Sequence, residues 1–294
     1  MNEQAFNPAD YAIQARGLCK SYPGFQLRDI SFIVPKGRIV GFIGENGAGK
    51  TTTISLLLNL IKKEAGELRV LGMDYENSGQ DIRRKTAALF EESTLTGGLY
   101  ARDIGSVLSP IYPDWDEGLY GEMIRRFKLP PDKAISKLSR GMRAKASIAA
   151  ALATRPDLLI LDEATTGLDA GARDEMESLL LQFIEDGEKS VFFSTHLTED
   201  LARIADYIIL IHQGKIIFEE EKDTLLDNWG IVKLPKADAA AFDLRDAVAY
   251  KEDRGIMEIL VRDRHETAKK YPAFTLDTPT LDSILLFYIK GEQL

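Results

Sequence analysis

Short apolar runs bounded by turn residues recur along this chain of 294 residues. Arg38 to Ile43, Leu158 to Leu161 and Val191 to Phe193 are typical of strands buried on both faces of a parallel sheet. The apolar residues Leu56, Leu57, Leu58, Leu60 and Ile61 predict a helix after the first run, and the alanines from about Arg143 onward predict another. Alternating strands and helices of this kind indicate an α/β fold with a parallel sheet.

The pattern changes after about residue 225. Residues 231–235 and 256–262 read as short strands, and residues 278–291 read as a final helix that Thr280 or Thr278 caps. Its apolar face, formed by Leu281, Ile284, Leu285 and Tyr288, favours packing against the chain's own domain over a dimer contact. We therefore expect a domain over residues 1–228 and an α+β extension over 229–294.

Composition narrows the class of protein. Hydrophobic residues make up 45% of the chain and charged residues 28%, which fits one large domain with an extension. The formal net charge of −9 argues against a nucleic-acid partner. Cys19 is the single cysteine, so the chain has no intrachain disulfide. Apolar runs are too short for a membrane span, and residues 1–10 lack the pattern of a signal peptide.

A glycine-rich segment follows the first predicted strand. Its spacing matches a nucleotide-binding phosphate loop, in which glycines let backbone N–H groups turn toward an anion at a helix N-terminus. Lys50 is placed for the β- and γ-phosphates, and the Thr51 hydroxyl for Mg²⁺. The predicted ATP-binding residues here are Gly44, Asn46, Gly47, Ala48, Gly49, Lys50, Thr51 and Thr52. The alternative is an ordinary strand-to-helix turn.

Polar side chains end the other two strands. Asp162 and Glu163 follow one strand and His196 follows the next, at the sheet edge where open α/β sheets bind ligands. Asp162 is expected to hold Mg²⁺ through water, Glu163 to act as general base on the attacking water, and His196 to contact the γ-phosphate or that water. The alternatives are a solvated acid pair and a histidine with only local hydrogen bonds.

The segment Leu138-Ser139-Arg140-Gly141-Met142 comes directly before the alanine-rich helix. Ser139 suits an N-cap, but a helix start is also a site for a negative ligand.

Taken in order, these motifs resemble the nucleotide-binding subunit of ATP-binding cassette (ABC) proteins over roughly residues 10 to 225. Residues 138–142 resemble its signature, Gly167-Leu168-Asp169 its D-loop and His196 its switch histidine. The resemblance implies a P-loop NTPase core with a parallel sheet, an N-terminal antiparallel β subdomain, and an α-helical subdomain inserted at about 93–150. It also implies ATP hydrolysis with ATP and Mg²⁺ as cofactors.

In this family two ATPase domains stack head to tail around ATP. The resemblance therefore implies that Ser139 and Gly141 contact the γ-phosphate held by a second ATPase subunit, identical or closely related. Asp169 would reach across that interface; its simpler role is a helix N-cap. Tyr22 stands where the family stacks an aromatic ring on adenine, and Phe25 is a substitute.

Two departures from the family pattern stand out. The usual signature Leu-Ser-Gly-Gly-Gln has Arg140 and Met142 here. The family's Q-loop glutamine is replaced by Glu91, or Glu92 takes its role; a carboxylate at Glu91 would still ligate Mg²⁺. Trp115, Leu119, Met123 and Phe127 form a core stripe beside the groove that receives the membrane partner in this family.

These features look most like bacterial exporter ATPases for antimicrobial peptides and phenol-soluble modulins. The implied partner is a multi-span membrane permease, which would place the chain at the cytoplasmic face of the cell membrane. The alternative is a non-transport ABC ATPase in assembly or regulation. A P-loop kinase or GTPase is disfavoured, since the guanine motif Asn-Lys-x-Asp is absent and neither class uses the signature.

Overall fold

The structure, a computed structural model, describes residues 10–90 and 98–293. The β-strands, in chain order, are β1 Tyr11–Tyr22, β2 Phe25–Pro35, β3 Ile39–Ile43, β4 Ala65–Val70, β5 Thr86–Phe90, β6 Leu158–Asp162, β7 Ser190–Thr195, β8 Tyr207–His212, β9 Lys215–Glu221, β10 Gly230–Pro235, β11 Ala249–Asp253, β12 Ile256–Val261, β13 Thr275–Asp277 and β14 Glu292–Gln293. The α-helices are α1 Lys50–Leu57, α2 Tyr75–Lys85, α3 Ile104–Leu108, α4 Glu117–Arg126, α5 Arg140–Ala153, α6 Ala170–Phe183, α7 Thr198–Ile204, α8 Lys222–Asn228, α9 Arg264–Lys270 and α10 Leu281–Lys290.

A six-stranded sheet of order β5-β6-β7-β3-β8-β9 forms the centre of the fold. Its strands are parallel except β9, which pairs antiparallel with β8. Every residue of β3, β6 and β7 is buried, as their continuous apolar runs predict for strands covered on both faces. The predicted α/β class with a parallel sheet is confirmed.

An antiparallel sheet of order β2-β1-β4 lies against this centre and confirms the expected N-terminal β subdomain. The contact includes three aromatic rings. Phe32 of β2 stacks on Phe192 of β7 at 5.6 Å between ring centroids, and Phe42 of β3 lies 5.1 Å from Phe192. This packing fixes β2 next to the strand that ends in the phosphate loop.

Helices α3, α4 and α5 make up the described part of the predicted helical insertion. Met123 and Phe127 are buried, while Leu119 and Trp115 are partly buried against the same core, so the predicted stripe faces inward. Trp115 lies before α4, which begins after Asp116 caps it. Within residues 10–90 and 98–293, no helix combines the length and the hydrophobicity of a membrane span.

Two helix boundaries differ from the sequence-based expectation. The helix predicted to include Leu60 and Ile61 ends at Leu57, and Leu60 is 63% exposed. The alanine-rich helix begins at Arg140 and not at about Arg143, because Ser139 serves as its N-cap. The N-cap residue determines where a helix begins, whereas a high alanine content indicates only that a helix is present.

Residues after 229 form a five-stranded antiparallel sheet, β13-β10-β12-β11-β14, with α9 and α10. Thr280 caps α10 in a capping box with Ser283. The buried face of α10 belongs to the main core together with Leu201 of α7 and Trp229. The tail is thereby packed against the core of the central sheet rather than connected to it by a flexible linker.

Candidate functional site

The loops after β3, β6 and β7 lie side by side at one edge of the sheet. β7 is flanked by β3 and β6, with Ile43 paired to Thr195 and Asp162 paired to Ser194. Because parallel strands end at the same edge, the three polar segments that follow them converge. The structure thus brings together the phosphate loop, the carboxylate pair and His196.

The phosphate loop packs against β2 and against the turn after β8. Gly49 has φ 114°, and a Cβ added there would lie 2.6 Å from Cδ2 of Leu27 and 2.9 Å from Cζ of Phe25. The Gly214 N–H donates to the Ala48 carbonyl at 2.9 Å. Only glycine fits position 49, both for its φ and for the space. In the rest of the loop, Gly44 and Ala48 are buried, Thr52 is half-buried, and Asn46, Gly47 and Thr51 are exposed.

Lys50 links this loop to the carboxylates. Its Nζ donates to the Gly44 carbonyl at 2.8 Å and to the Glu45 carbonyl at 3.2 Å, and it lies 3.3 Å from Oε1 of Glu163. Only 6% of the Lys50 side chain is exposed. A cation held between loop carbonyls and a carboxylate is positioned to meet the terminal phosphates of a nucleotide.

Glu163 also contacts His196. The His196 Nδ1 lies 2.7 Å from Oε2 of Glu163, and the Thr166 hydroxyl donates to the same oxygen at 3.1 Å. Glu163 has φ 54°, in the left-handed region, and its N–H donates to the Ser194 carbonyl at 2.9 Å. This conformation is uncommon for a non-glycine residue, but it also occurs away from the site, at Asn59 and Lys128 for example, so it is not by itself a sign of function.

Asp162 is buried beside Thr51 and is suited to a hard cation. Burial raises the pKa of its carboxyl group, and the Thr51 hydroxyl acts in the opposite direction. Its Oδ1 is buried without a hydrogen-bond partner, which leaves a carboxylate oxygen available to a metal or to metal-bound water. The described residues contain no cluster of three His, Cys, Asp or Glu side chains that would enclose a metal by itself. This donor set fits Mg²⁺, which typically binds one or two protein groups together with substrate phosphates.

Ser139 and Asp169 both act as helix caps. The Ser139 Oγ accepts from the Met142 N–H at 3.2 Å, and the Asp169 Oδ1 accepts from the Ala172 N–H at 2.8 Å. A serine hydroxyl that accepts one bond still has its proton to donate, so capping leaves Ser139 able to bind an anion.

The signature and D-loop segments contact each other within the chain. A Cβ added to Gly167 would lie 2.7 Å from Cζ of Arg140, and one added to Gly141 would lie 3.9 Å from Cδ2 of Leu168. Leu138 is also buried. Arg140 lies over Gly167, whose φ of 75° favours glycine, while Ser139 and Arg140 themselves are exposed.

The remaining predicted residues are the candidates for adenine stacking and for the Q-loop. Tyr22 is 43% exposed at the end of β1, whereas Phe25 packs against the phosphate loop at Gly49. An exposed ring suits stacking on a base, and a ring fixed under the loop does not. Glu91 and Glu92, the candidates for the Q-loop, lie outside the described residues.

Sequence reasoning missed two contacts to the site. His212, at the end of β8, has its Nδ1 3.1 Å from Oε1 of Glu45 in the phosphate loop. Asp200 of α7 binds Thr165 in the loop after Glu163. In the sequence, His212 only interrupts an apolar run, and Asp200 is one of two acidic residues at the start of a helix. Neither residue belongs to a sequence motif that would have indicated a contact with the site.

Comparisons with known proteins agree with this geometry. The ABC transporter family profile matches residues 27–166. The bacitracin transport ATP-binding protein BcrA of Bacillus licheniformis is 32% identical over 216 residues, which are 72% of this chain and 71% of that protein. The lantibiotic transport ATP-binding protein SrtF of Streptococcus pyogenes is 32% identical over 205 residues, covering 67% and 85% of the two chains. A solved structure described as the ATP binding subunit of an ABC transporter matches with a TM-score of 0.67 and 25% identity, covering 74% of this chain and 92% of that one.

Proposed function

The chain belongs to the ATP-binding subunits of ABC transporters, and from this premise we propose that it hydrolyses ATP to ADP and phosphate, with Mg²⁺, to power export through a separate membrane permease. The contact of Lys50, Glu163 and His196 carries this proposal, because it unites a phosphate-binding cation, a base and a histidine at one sheet edge. Residues 1–228 form the ATPase unit in this assignment, and residues 229–294 the accessory extension.

Nucleotide binding is assigned to the phosphate loop. Backbone N–H groups of Gly47 to Thr52 and the start of α1 face the phosphates, while Lys50 supplies the fixed charge. Tyr22 supports the adenine ring by stacking. Thr51 and Asp162 would hold Mg²⁺, and Glu91 of the Q-loop would be a further ligand. The metal, when bound, neutralises charge on the phosphate oxygens.

Hydrolysis is assigned to Glu163 and His196. Glu163 accepts the proton of a water molecule as its oxygen attacks the γ-phosphorus, and the bond from that phosphorus to the ADP oxygen breaks. His196 holds the Glu163 carboxylate through Nδ1, which fixes the direction of the base. General-base catalysis of this type contributes roughly 10²–10⁴-fold in rate.

The site is completed by a second ATPase subunit, identical or closely related, bound head to tail. Ser139, the backbone of Gly141 and the start of α5 then face the γ-phosphate held by the other chain, and Asp169 reaches across the interface. The contact of Arg140 with Gly167 supports this arrangement, since it joins the two segments that meet the partner. ATP favours the closed dimer over separated chains because it makes contacts in the dimer that a single chain does not provide.

Export as the direction of transport is supported by the relatives, whose names give bacitracin and lantibiotics as transported compounds. A peptide or peptide-like antimicrobial compound is accordingly the proposed class of cargo. The chain associates peripherally with the permease, on the cytoplasmic side of the membrane where ATP is available.

The test of the dimer uses Glu163→Gln, in which ATP is bound but hydrolysed slowly. Light scattering of this variant should give a mass of one chain without ATP and of two chains with it. A mass of one chain at saturating ATP, with nucleotide bound, would refute the shared site.

The test of the transport role uses the tagged chain purified from membranes of its native cell. A multi-span membrane protein should copurify in a stable ratio to the ATPase. Recovery of the ATPase from the membrane-free fraction alone would favour an assembly or regulatory ATPase instead.

A further inference from the structure

A buried acidic side chain outside the motifs joins the segments that carry the site residues. Asp200 is 1% exposed and Thr165 is fully buried. The Thr165 hydroxyl donates to Oδ2 of Asp200 at 2.5 Å. Thr165 lies in the loop between Glu163 and Asp169, and Asp200 lies in α7, which begins shortly after His196.

Asp200 holds a second partner on the far side of the D-loop. Nε of Arg173, in the first turns of α6, lies 3.3 Å from Oδ1 of Asp200. The Arg173 N–H also donates to the Asp169 carbonyl at 3.0 Å, which joins this arginine to the D-loop backbone. One carboxylate therefore binds the chain both before and after Gly167-Leu168-Asp169.

These contacts form a closed path with the catalytic pair. His196 binds Glu163 directly, and Asp200 binds the loop that follows Glu163. The path contains two links between the same two segments, so a shift of α7 cannot occur without moving the Glu163 loop or breaking the Thr165 bond. A charged hydrogen bond in a dry environment resists such breaking.

We propose that Asp200 is a positioning residue for ATP hydrolysis: through Thr165 and Arg173 it holds Glu163, His196 and Asp169 as one unit. The inference rests on the hydrolysis proposed above. Asp200 contacts neither the phosphate loop nor Glu163. A substitution at Asp200 should therefore change the orientation of the base and leave the affinity for ATP unchanged.

A matched control lies in the same helix pair. Glu177 of α6 is 3% exposed, and its Oε2 lies 3.2 Å from Nη1 of Arg203 in α7. This pair also joins α6 to α7 through a buried carboxylate, but it does not include the loop between Glu163 and Asp169. Substitutions at Asp200 and at Glu177 should both weaken the contact between α6 and α7. Only a substitution at Asp200 should also change the orientation of Glu163.

The experiment measures kcat and KM for MgATP in the full-length wild-type chain and in Thr165→Val, Thr165→Ser, Asp200→Asn and Glu177→Gln. Thr165→Val and Asp200→Asn should lower kcat about ten- to a hundredfold with KM changed less than about twofold, since small misplacements of a base cost rates of this order. Thr165→Ser, which keeps the hydroxyl, and Glu177→Gln should stay within about threefold of the wild-type kcat.

The contrast between Thr165→Val and Thr165→Ser decides the case even if Asp200→Asn does not fold. An unchanged kcat in Thr165→Val, or an equal loss in Glu177→Gln and Thr165→Val, overturns the positioning role. If the wild-type chain itself does not hydrolyse ATP, the proposed function fails and this inference falls with it. An active wild type with an unaffected Thr165→Val rejects the inference alone.

Discussion

The ammonium group of Lys50 lies 3.3 Å from a carboxylate oxygen of Glu163, with both side chains largely buried. The loop proposed to bind phosphate and the residue proposed as base are thus already in contact in the chain alone. Removing either charge alters the environment of the other, because a buried charge depends on its partner.

Glu163→Gln should keep ATP binding and lose about 10²–10⁴-fold in turnover, since the amide preserves the shape of the side chain but accepts no proton. Steady-state hydrolysis and equilibrium ATP binding measure the two effects separately. Lys50→Ala is the matching variant on the other side of the contact and should lose ATP affinity. Wild-type turnover in Glu163→Gln would remove Glu163 from the role of base.

Ser139→Arg should block ATP-driven dimer formation and leave ATP binding by a single chain intact. The new side chain projects from the start of α5, where the partner's nucleotide is proposed to lie, whereas Lys50 and Thr51 belong to the site for the chain's own nucleotide. Light scattering in the Glu163→Gln background measures the dimer. Ser136→Arg introduces the same side chain at a nearby exposed position and should still dimerise; a Ser139→Arg chain that dimerises equally well contradicts the signature assignment.

Much of the site was predictable because its residues follow a local rule. Strand, glycine loop and helix specify the geometry around Lys50 without reference to the rest of the chain, and apolar runs ending in Asp162 or before His196 specify the neighbouring strand ends. Parallel pairing then makes these ends adjacent, as Asp162 opposite Ser194 illustrates.

The contacts that were not predictable join residues distant in sequence. Asp200 and Thr165 have ordinary neighbours, and nothing local distinguishes a buried Asp200 from the exposed Glu199 beside it. The motif also gave no position for the Arg140 side chain, which the tertiary packing places over Gly167. The start of α5 was misplaced for a different, local reason: alanine content reports helix preference, whereas the cap, for which Ser139 was already a candidate, sets the first turn.

Glu219 should make the stability of the chain depend on pH. Burial raises the pKa of Glu219 to about 7 from its ordinary 4.5, although its carboxylate accepts a bond from the Ile33 N–H. Since the folded pKa is the higher one, the folded state gains from protonation, and stability falls as the pH rises from about 4.5 through 7. Glu219→Gln, which keeps the acceptor, should therefore stabilise the protein by about 2 kcal/mol more at pH 8.5 than at pH 5.5.

Urea unfolding at the two pH values measures this difference. Glu188→Gln changes an exposed glutamate in the same way and should leave the pH dependence unchanged. Parallel stability curves for Glu219→Gln and wild type would show that Glu219 is ionised at little cost in the folded protein.

Ile284→Ala should destabilise the whole chain and not the tail alone. Ile284 is fully buried in the main core, and removing such a side chain typically costs about 2–5 kcal/mol. Ile289→Ala removes a side chain that is 37% exposed on the same helix and should cost far less. Far-UV circular dichroism and tryptophan fluorescence should give one shared transition; two separate transitions would mean that the tail unfolds independently.

The inclusion of α10 in the central core also bears on how the protein is made. During synthesis, the phosphate loop and the strands beside it leave the ribosome long before residues 281–290, yet the buried face of α10 belongs to the same hydrophobic core as Leu201 of α7. Apolar core residues of the nascent chain therefore remain exposed to solvent until α10 is synthesised. We expect chaperones to bind the chain mainly in this interval.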